Sequence, residues 1–406
     1  MSTAERRPRR AIAPSPLGGR GGGPRPTPRA ETITTHAAAQ RLAPEWRVLW
    51  ESSADPNPFL QPEWLLSWAR LHVPDGRLLL MTLRSGGDLV AIAPLHVSQR
   101  AGVRTLLPLG CGPGHELTEV PGIVCASGER RRLLPALVAA LAGQPDGWDW
   151  ARITLSPADG WLEPGWLPAA PRPASVLHHQ TRACVTLPLA ATWEAQRALL
   201  GRNLRESLRR SRNRLDGAAR WSIRTEVHGA GWAASVAELC RLHGLRADIP
   251  GRPAHADWSA DPQVAHLLAH AAARLPAGAL EITFLDVEGV PVAAQALLHG
   301  GGTTYLLMSG FDPAWWWHGP MTELVGTVAR AAIGRGHLRL NLSSGPIASK
   351  TRWSRELELH QDFVLVAPRT RSRAAFAGYA SVEALHRFHR ESRRFRPIRG
   401  RQGPDA

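Results

Sequence analysis

Lys350 is the only lysine among 49 basic residues; the other 48 are arginines. A bias this one-sided puts arginine wherever either cation serves. It therefore singles out Lys350 as a position that calls for a compact ammonium with three donors rather than a planar fork. The lysine closes the segment Leu340-Asn341-Leu342-Ser343-Ser344-Gly345-Pro346-Ile347-Ala348-Ser349-Lys350, which reads as a strand running into a Gly-Pro turn. An ammonium placed there suits a developing oxyanion, or a phosphate or carboxylate on a substrate. A cation that merely caps an exposed loop would look the same in sequence.

A second group lies between Ser309 and Glu323, where a strand ends, an aromatic loop Trp315-Trp316-Trp317-His318 crosses, and Gly319-Pro320 opens a helix. The first N–H groups of a helix have no partners within it, and together with the macrodipole they favour an anion. Gly319 permits close backbone approach and Pro320 preorganises the first turn. His318 and Glu323 are the proton acceptors nearest that start, although a loop histidine and a first-turn carboxylate are equally their structural readings. The tryptophans suit stacking on a sugar or adenine, or burial. Arg202, Arg205, Arg209, Arg210, Arg212 and Arg214 crowd one helix around Leu204, Leu208 and Leu215, either to meet phosphates or as a solvated face.

Two halves of similar order carry these residues. The first has helices over 37–50 and from Pro62, strands over 77–84 and 89–97 joined by Gly86-Gly87-Asp88, a helix over 130–142 and a strand over 150–155. Irregular Pro-rich chain over 157–173 marks its end. The second has a helix over about 193–215, strands over 280–287, 290–299 and 303–309, a helix over 321–334, and strands over 337–342 and 358–366. No dense internal repeat supports a solenoid.

With 44% hydrophobic residues, 16 Trp and 20% charged residues, the composition is globular, and no apolar run is long enough for a membrane span. The first 30 residues lack the apolar core of a signal peptide, which predicts a disordered basic tail and a cytoplasmic protein. Cys111, Cys125, Cys184 and Cys240 are widely spaced and read as reduced thiols, and His178-His179 is too isolated for a metal site. The net charge of +15 is nearly matched by 14 arginines at the two ends, so basicity alone does not establish nucleic-acid binding and does not exclude it. No Ser-His-Asp order and no phosphate-binding P-loop is present.

The element order and certain residues resemble the GNAT superfamily, in particular its cellulose-biosynthesis-associated acetyltransferase-like branch, which is similar to the Fem-type peptidyl transferases. The residues that carry the resemblance are Arg202 to Leu215, Asp286 to Ala294, Tyr305 to Asp312, Gly319-Pro320, and Gly345 through Lys350 to Trp353, with Phe59, Pro62, Trp64, Trp68, Leu89 to Leu95 and Leu109-Gly110 in the first half. His318-Gly319-Pro320-Met321, Asn341 and Ser349 depart from the family's Ser-Pro-Gly, strand-ending Asp and aromatic-Lys patterns. The resemblance implies a mixed α/β (α+β) fold of tandem GNAT-like domains, each a mixed central sheet flanked by helices. The expected divisions are a basic tail at 1–32, domains at 33–185 and 186–370, and an Arg-rich helix and tail at 371–406.

It further implies an acyltransferase using acetyl-CoA as co-substrate, with no metal, acting on an amine of a polar acceptor such as a cell-envelope saccharide or precursor. An anionic or nucleotide-linked acceptor fits the same reasoning. Lys350, His318 and Glu323 are then the catalytic candidates, Ser309, Trp317, Gly319, Met321 and Thr322 the cofactor contacts, and Asn341, Gly345, Arg205 and Arg209 the substrate contacts. Two alternatives stand beside this: Fem-type aminoacyl transfer from tRNA, and a non-catalytic GNAT-fold binding or assembly module with nucleic-acid-binding Arg-rich ends.

Overall fold

The computed structural model describes residues 26–394 except 55, 113–116, 145–146, 158, 170–173, 248 and 250–256, with backbone only over 386–394. The first half contains β1 (Arg29–Ile33), α1 (His36–Glu51), α2 (Pro62–His72), β2 (Leu78–Ser85), β3 (Asp88–Arg100), β4 (Val103–Pro108), β5 (Val124–Cys125), α3 (Arg130–Ala142) and β6 (Trp150–Leu155). After β7 (Ser175–Pro188) come α4 (Trp193–Leu199), α5 (Arg202–Ala218), β8 (Trp221–Val227), α6 (Trp232–Ala247), α7 (Pro262–Ala272), β9 (Leu280–Val287), β10 (Val290–Gly300) and β11 (Thr303–Phe311). The chain ends in α8 (Pro320–Gly334), β12 (Arg339–Ser344), α9 (Ala348–Thr351), β13 (Leu357–Val366) and α10 (Thr370–Arg394).

Local chemistry accounts for most boundaries. Thr35 caps α1 by accepting the Ala38 N–H, and Ala39, Leu42, Trp46 and Leu49 bury one face at the helical period. Pro62 sits at the first position of α2, where its missing N–H is no loss. One helix was expected over 193–215; the structure has two, because Leu200 and Gly201 are extended. Arg205 fills that break by donating to the carbonyls of Ala198 and Leu200 at 3.0 and 2.8 Å.

The strands run β1-β2-β3-β4-β6-β13-β7-β12-β11-β10-β9-β8 in one sheet, with β5 beside β3. Pairing is antiparallel except at β4–β6 and β11–β12, so each half contributes one parallel pair in the corresponding place. The halves exchange strands at the seam: β13 pairs with β6 of the first half, and β7 pairs with β12 of the second. The expected division between 185 and 186 falls inside β7. The expected tail overlaps β1 at 29–32, which pairs with β2, while residues 1–25 and 395–406 lie outside the described residues.

A single apolar core joins both halves on one face, where Phe59 meets Tyr305 edge-on at 5.4 Å between ring centroids. On the other face the α3 cluster and the α5–α8 cluster are separate. Two glycines make the seam between layers tight. A Cβ on Gly310 would lie 2.2 Å from the His243 backbone N of α6, and one on Gly300 would lie 2.8 Å from Pro58. Among the described residues no helix is long and apolar enough to cross a membrane.

Candidate active site

β11 and β12 pair only over Thr303–Tyr305 and Arg339–Asn341. Beyond Tyr305, β11 stays with β10 as far as Phe311, whereas β12 turns to β7, where Ser344 pairs with Cys184. The two strands therefore split, and the split opens in the middle of the sheet. A register shift opposite Ala296 and Leu297 leaves Leu307 of β11 as the extra residue of a bulge at the same level.

On the β12 side of the split the backbone is held in an unusual form. Ser343 has φ of 74° and Gly345 of 84°. For serine this left-handed geometry is uncommon, and it persists because the Asn341 side-chain oxygen accepts the Ser343 N–H at 2.8 Å. The turn presents the Ser343 hydroxyl to Glu119, whose Oε1 accepts it at 2.5 Å. Lys350 on α9 reaches back to donate to the Ser344 carbonyl at 2.5 Å. Asn341, Ser343, Gly345 and Lys350 are thus brought together as one structure.

Glu119 was not among the sequence candidates. It reaches this place from the first half, in the loop between β4 and β5, and is only 5% exposed. Burial raises its pKa to about 7, against the opposing pull of the Ser343 hydrogen bond, the Lys350 charge, the Ser344 backbone N–H and the Arg182 charge. Its Oε2 and the Asn341 Nδ2 are buried with no hydrogen-bond partner among the described residues. Lys350 has its pKa lowered, first by burial and partly offset by Glu119. The nearby Cys184 thiol is pushed up to about 12 by burial, which keeps it protonated and a poor nucleophile.

On the β11 side, Ser309 is clasped from α6. Its carbonyl lies 2.8 Å from His243 Nδ1, and Arg246 bonds both its carbonyl and its hydroxyl. Arg246 was likewise absent from the sequence candidates. Residues 202–350, which include both sides of the split, match the family described as an acetyltransferase (GNAT) domain. No curated protein sequence matches the chain. Among solved structures, FemX is 10% identical with a TM-score of 0.54, over 82% of this chain and 96% of that one, which shows a shared fold. Also similar are L-PGS from Bacillus licheniformis, 10% identical over 80% and 92% with a TM-score of 0.45, and a tandem GNAT protein from the clavulanic acid biosynthesis pathway, 15% identical over 84% and 99% with a TM-score of 0.40. Over most of its length the chain has the mixed α/β fold of FemX, and the acetyltransferase-domain match lies within its second half.

The remaining sequence candidates in the GNAT domain cluster at the start of α8. Gly319, with φ of 66°, is the residue before the helix, and a Cβ there would lie 2.4 Å from the Ser211 hydroxyl of α5. Thr322 donates its N–H to the Gly319 carbonyl at 3.0 Å, and Met321 packs against the cluster containing Leu215 and Leu324. Trp317 is 67% exposed; Arg214 donates to its carbonyl and stacks 3.9 Å above its ring. His318 packs on Trp315 at 4.8 Å, and its Nδ1 is buried without a partner among the described residues. Glu323 is 1% exposed and paired with Arg212 at 2.7 Å and Arg330 at 3.5 Å. That pairing favours a fixed anion holding two helices over a base that exchanges protons.

Arg205 and Arg209 stand apart from the split. Arg205 caps the end of α4, and Arg209 pairs with Glu206 on the exposed face of α5 at 2.8 Å. Among the described residues, no group of three His, Cys, Asp or Glu side chains is placed to hold a metal ion.

Proposed function

We propose that the chain transfers an acetyl or similar acyl group from a CoA thioester to the amine of a polar acceptor, with the reaction at the strand split and Glu119 as the proton acceptor. The observation that carries this reading is the buried Glu119 carboxyl, with a pKa near 7 and one oxygen unpartnered, set against the turn that holds Lys350. A general base is most effective when its pKa lies near the working pH, so that it is both ionised and basic.

In the proposed reaction the acceptor nitrogen forms a bond to the thioester carbonyl carbon while Glu119 Oε2 takes its proton. The oxygen charge that develops is met by fixed donors, a part suited to Asn341 Nδ2 and the Lys350 ammonium on the turn beside Glu119. The C–S bond then breaks, and the CoA thiolate leaves and is protonated. The pyrophosphate of the donor fits the start of α8, from Trp317 to Thr322, with Ser309 lining the β11 side. Acetyl-CoA is the default donor, a cell-envelope saccharide or precursor a fitting acceptor, and the cytoplasm the matching compartment.

A second reading, aminoacyl transfer from tRNA, is favoured by one feature: exposed Arg202, Arg209, Arg210 and Arg212 lie on the helix that packs against the loop bearing exposed Trp316 and Trp317. CoA release from acetyl-CoA, followed against pH, separates the two. The proposed mechanism requires the rate to rise through a pKa near 7 in wild type, and Glu119→Gln to lose about 10²- to 10⁴-fold. A flat profile, or full activity in Glu119→Gln, removes Glu119 from the chemistry.

A further inference from the structure

Arg246 has a place in the site that the proposed chemistry does not use. It projects from the last turn of α6 onto the end of β11 and is half-buried. Its only bonded partner among the described residues is Ser309, through the carbonyl and hydroxyl, and no described carboxylate lies within ion-pair distance of it. A guanidinium has five N–H donors in a planar fork. Ser309 engages one nitrogen of the three.

The second cation of the site compounds this. The Arg246 charge reaches Lys350 and opposes its protonation, so two cations face the split from its two sides. Burial also works against the charge on Arg246 itself. The described carboxylate whose charge acts on Lys350 is Glu119, and its pKa near 7 means that it is neutral much of the time at physiological pH. The site therefore carries an excess of positive charge that is partly removed from water, a condition relieved by a bound anion.

Resting on the acyl-transfer reading, we propose that the acceptor carries an anionic group, a carboxylate or a phosphate, close to its reacting amine, and that Arg246 is the specificity-determining residue that receives it. The planar fork matches both anions in a two-point contact, which fixes the amine relative to the thioester as well as binding it. Arg246 would thus select amino-acid-like or phosphoamine acceptors over plain amines.

Matched amine pairs test this directly: glycine against methylamine, and O-phosphoethanolamine against ethanolamine. Binding to the full chain is measured by calorimetry in the presence of CoA, and turnover by CoA release from acetyl-CoA. Wild type is expected to favour at least one anionic member over its neutral mate by about 10- to 100-fold. Preference within the glycine pair identifies a carboxylate, and within the phosphoethanolamine pair a phosphate. Arg246→Gln should abolish the preference, chiefly through KM, while Arg246→Lys, which keeps the charge but not the planar fork, should keep part of it. Wild type binding neither anionic member better than its mate overturns the inference, as does an undiminished preference in Arg246→Gln. Anion preference in binding without any turnover supports the subsite and counts against acyl transfer, so the two claims fail separately.

Discussion

Replacing Glu119 by Gln has opposite expected effects on stability and on catalysis, and the stability effect follows from the structure alone. An ordinary glutamate ionises at 4.5, whereas the buried Glu119 holds its proton to about 7. Below pH 4.5 the side chain is neutral in both folded and unfolded chains, so it makes no pH-dependent difference. Between 4.5 and about 7 the unfolded chain releases the proton and the folded one does not, so wild type loses stability as pH rises. Above about 7 the whole penalty is present. The gap between those two values, at about 1.4 kcal/mol per pH unit, amounts to about 3 kcal/mol. Glutamine cannot ionise and still offers a carbonyl oxygen to the Ser343 hydroxyl. Glu119→Gln should therefore match wild type near pH 4.5 and exceed it by up to about 3 kcal/mol at pH 8, measured by urea unfolding at each pH. A stability difference that does not change between those pH values would refute the claim that burial holds this proton.

Two further perturbations probe other parts of the site. Lys350→Arg and Lys350→Ala should each lose on the order of 10² to 10³ in turnover with little change in thermal stability, because arginine keeps the charge but not the compact geometry; wild-type turnover in both would leave the lysine as a loop cation. Gly310→Ala should cost about 3 kcal/mol or more in an unfolding titration, since its Cβ would meet backbone of α6 at 2.2 Å, and backbone cannot rotate away.

The elements with clean periodicity were legible in sequence. Arg130–Ala142 and Trp150–Leu155 match expectation at both ends, and Gly319-Pro320 marks the start of α8. The lone lysine stands out from composition alone, because such a bias isolates a residue regardless of fold. β7 escaped notice because His178, His179, Gln180, Thr181 and Arg182 break the apolar alternation expected of a strand. They occur there because β7 runs along the seam, where Asp362 of β13 accepts from Gln180 at 2.7 Å and from Arg182 at 2.9 Å. Glu119 carried no local motif, lying in the short run Leu117-Thr118-Glu119-Val120. Its proximity to Ser343 spans 224 residues and arises from strand exchange between the halves, which spacing cannot reveal. Arg246 was hidden for a plainer reason, as one arginine among 48.

The central claim is that a CoA thioester is the donor, bound where β11 and β12 part. Calorimetric titration of the full chain with acetyl-CoA, with CoA and deacylated tRNA as parallel titrants, tests it most directly. The account predicts saturable binding of one acetyl-CoA per chain, competitive with CoA and weakened by Arg214→Ala at the Trp317 loop. Saturable binding of tRNA with no heat from acetyl-CoA or CoA would contradict it.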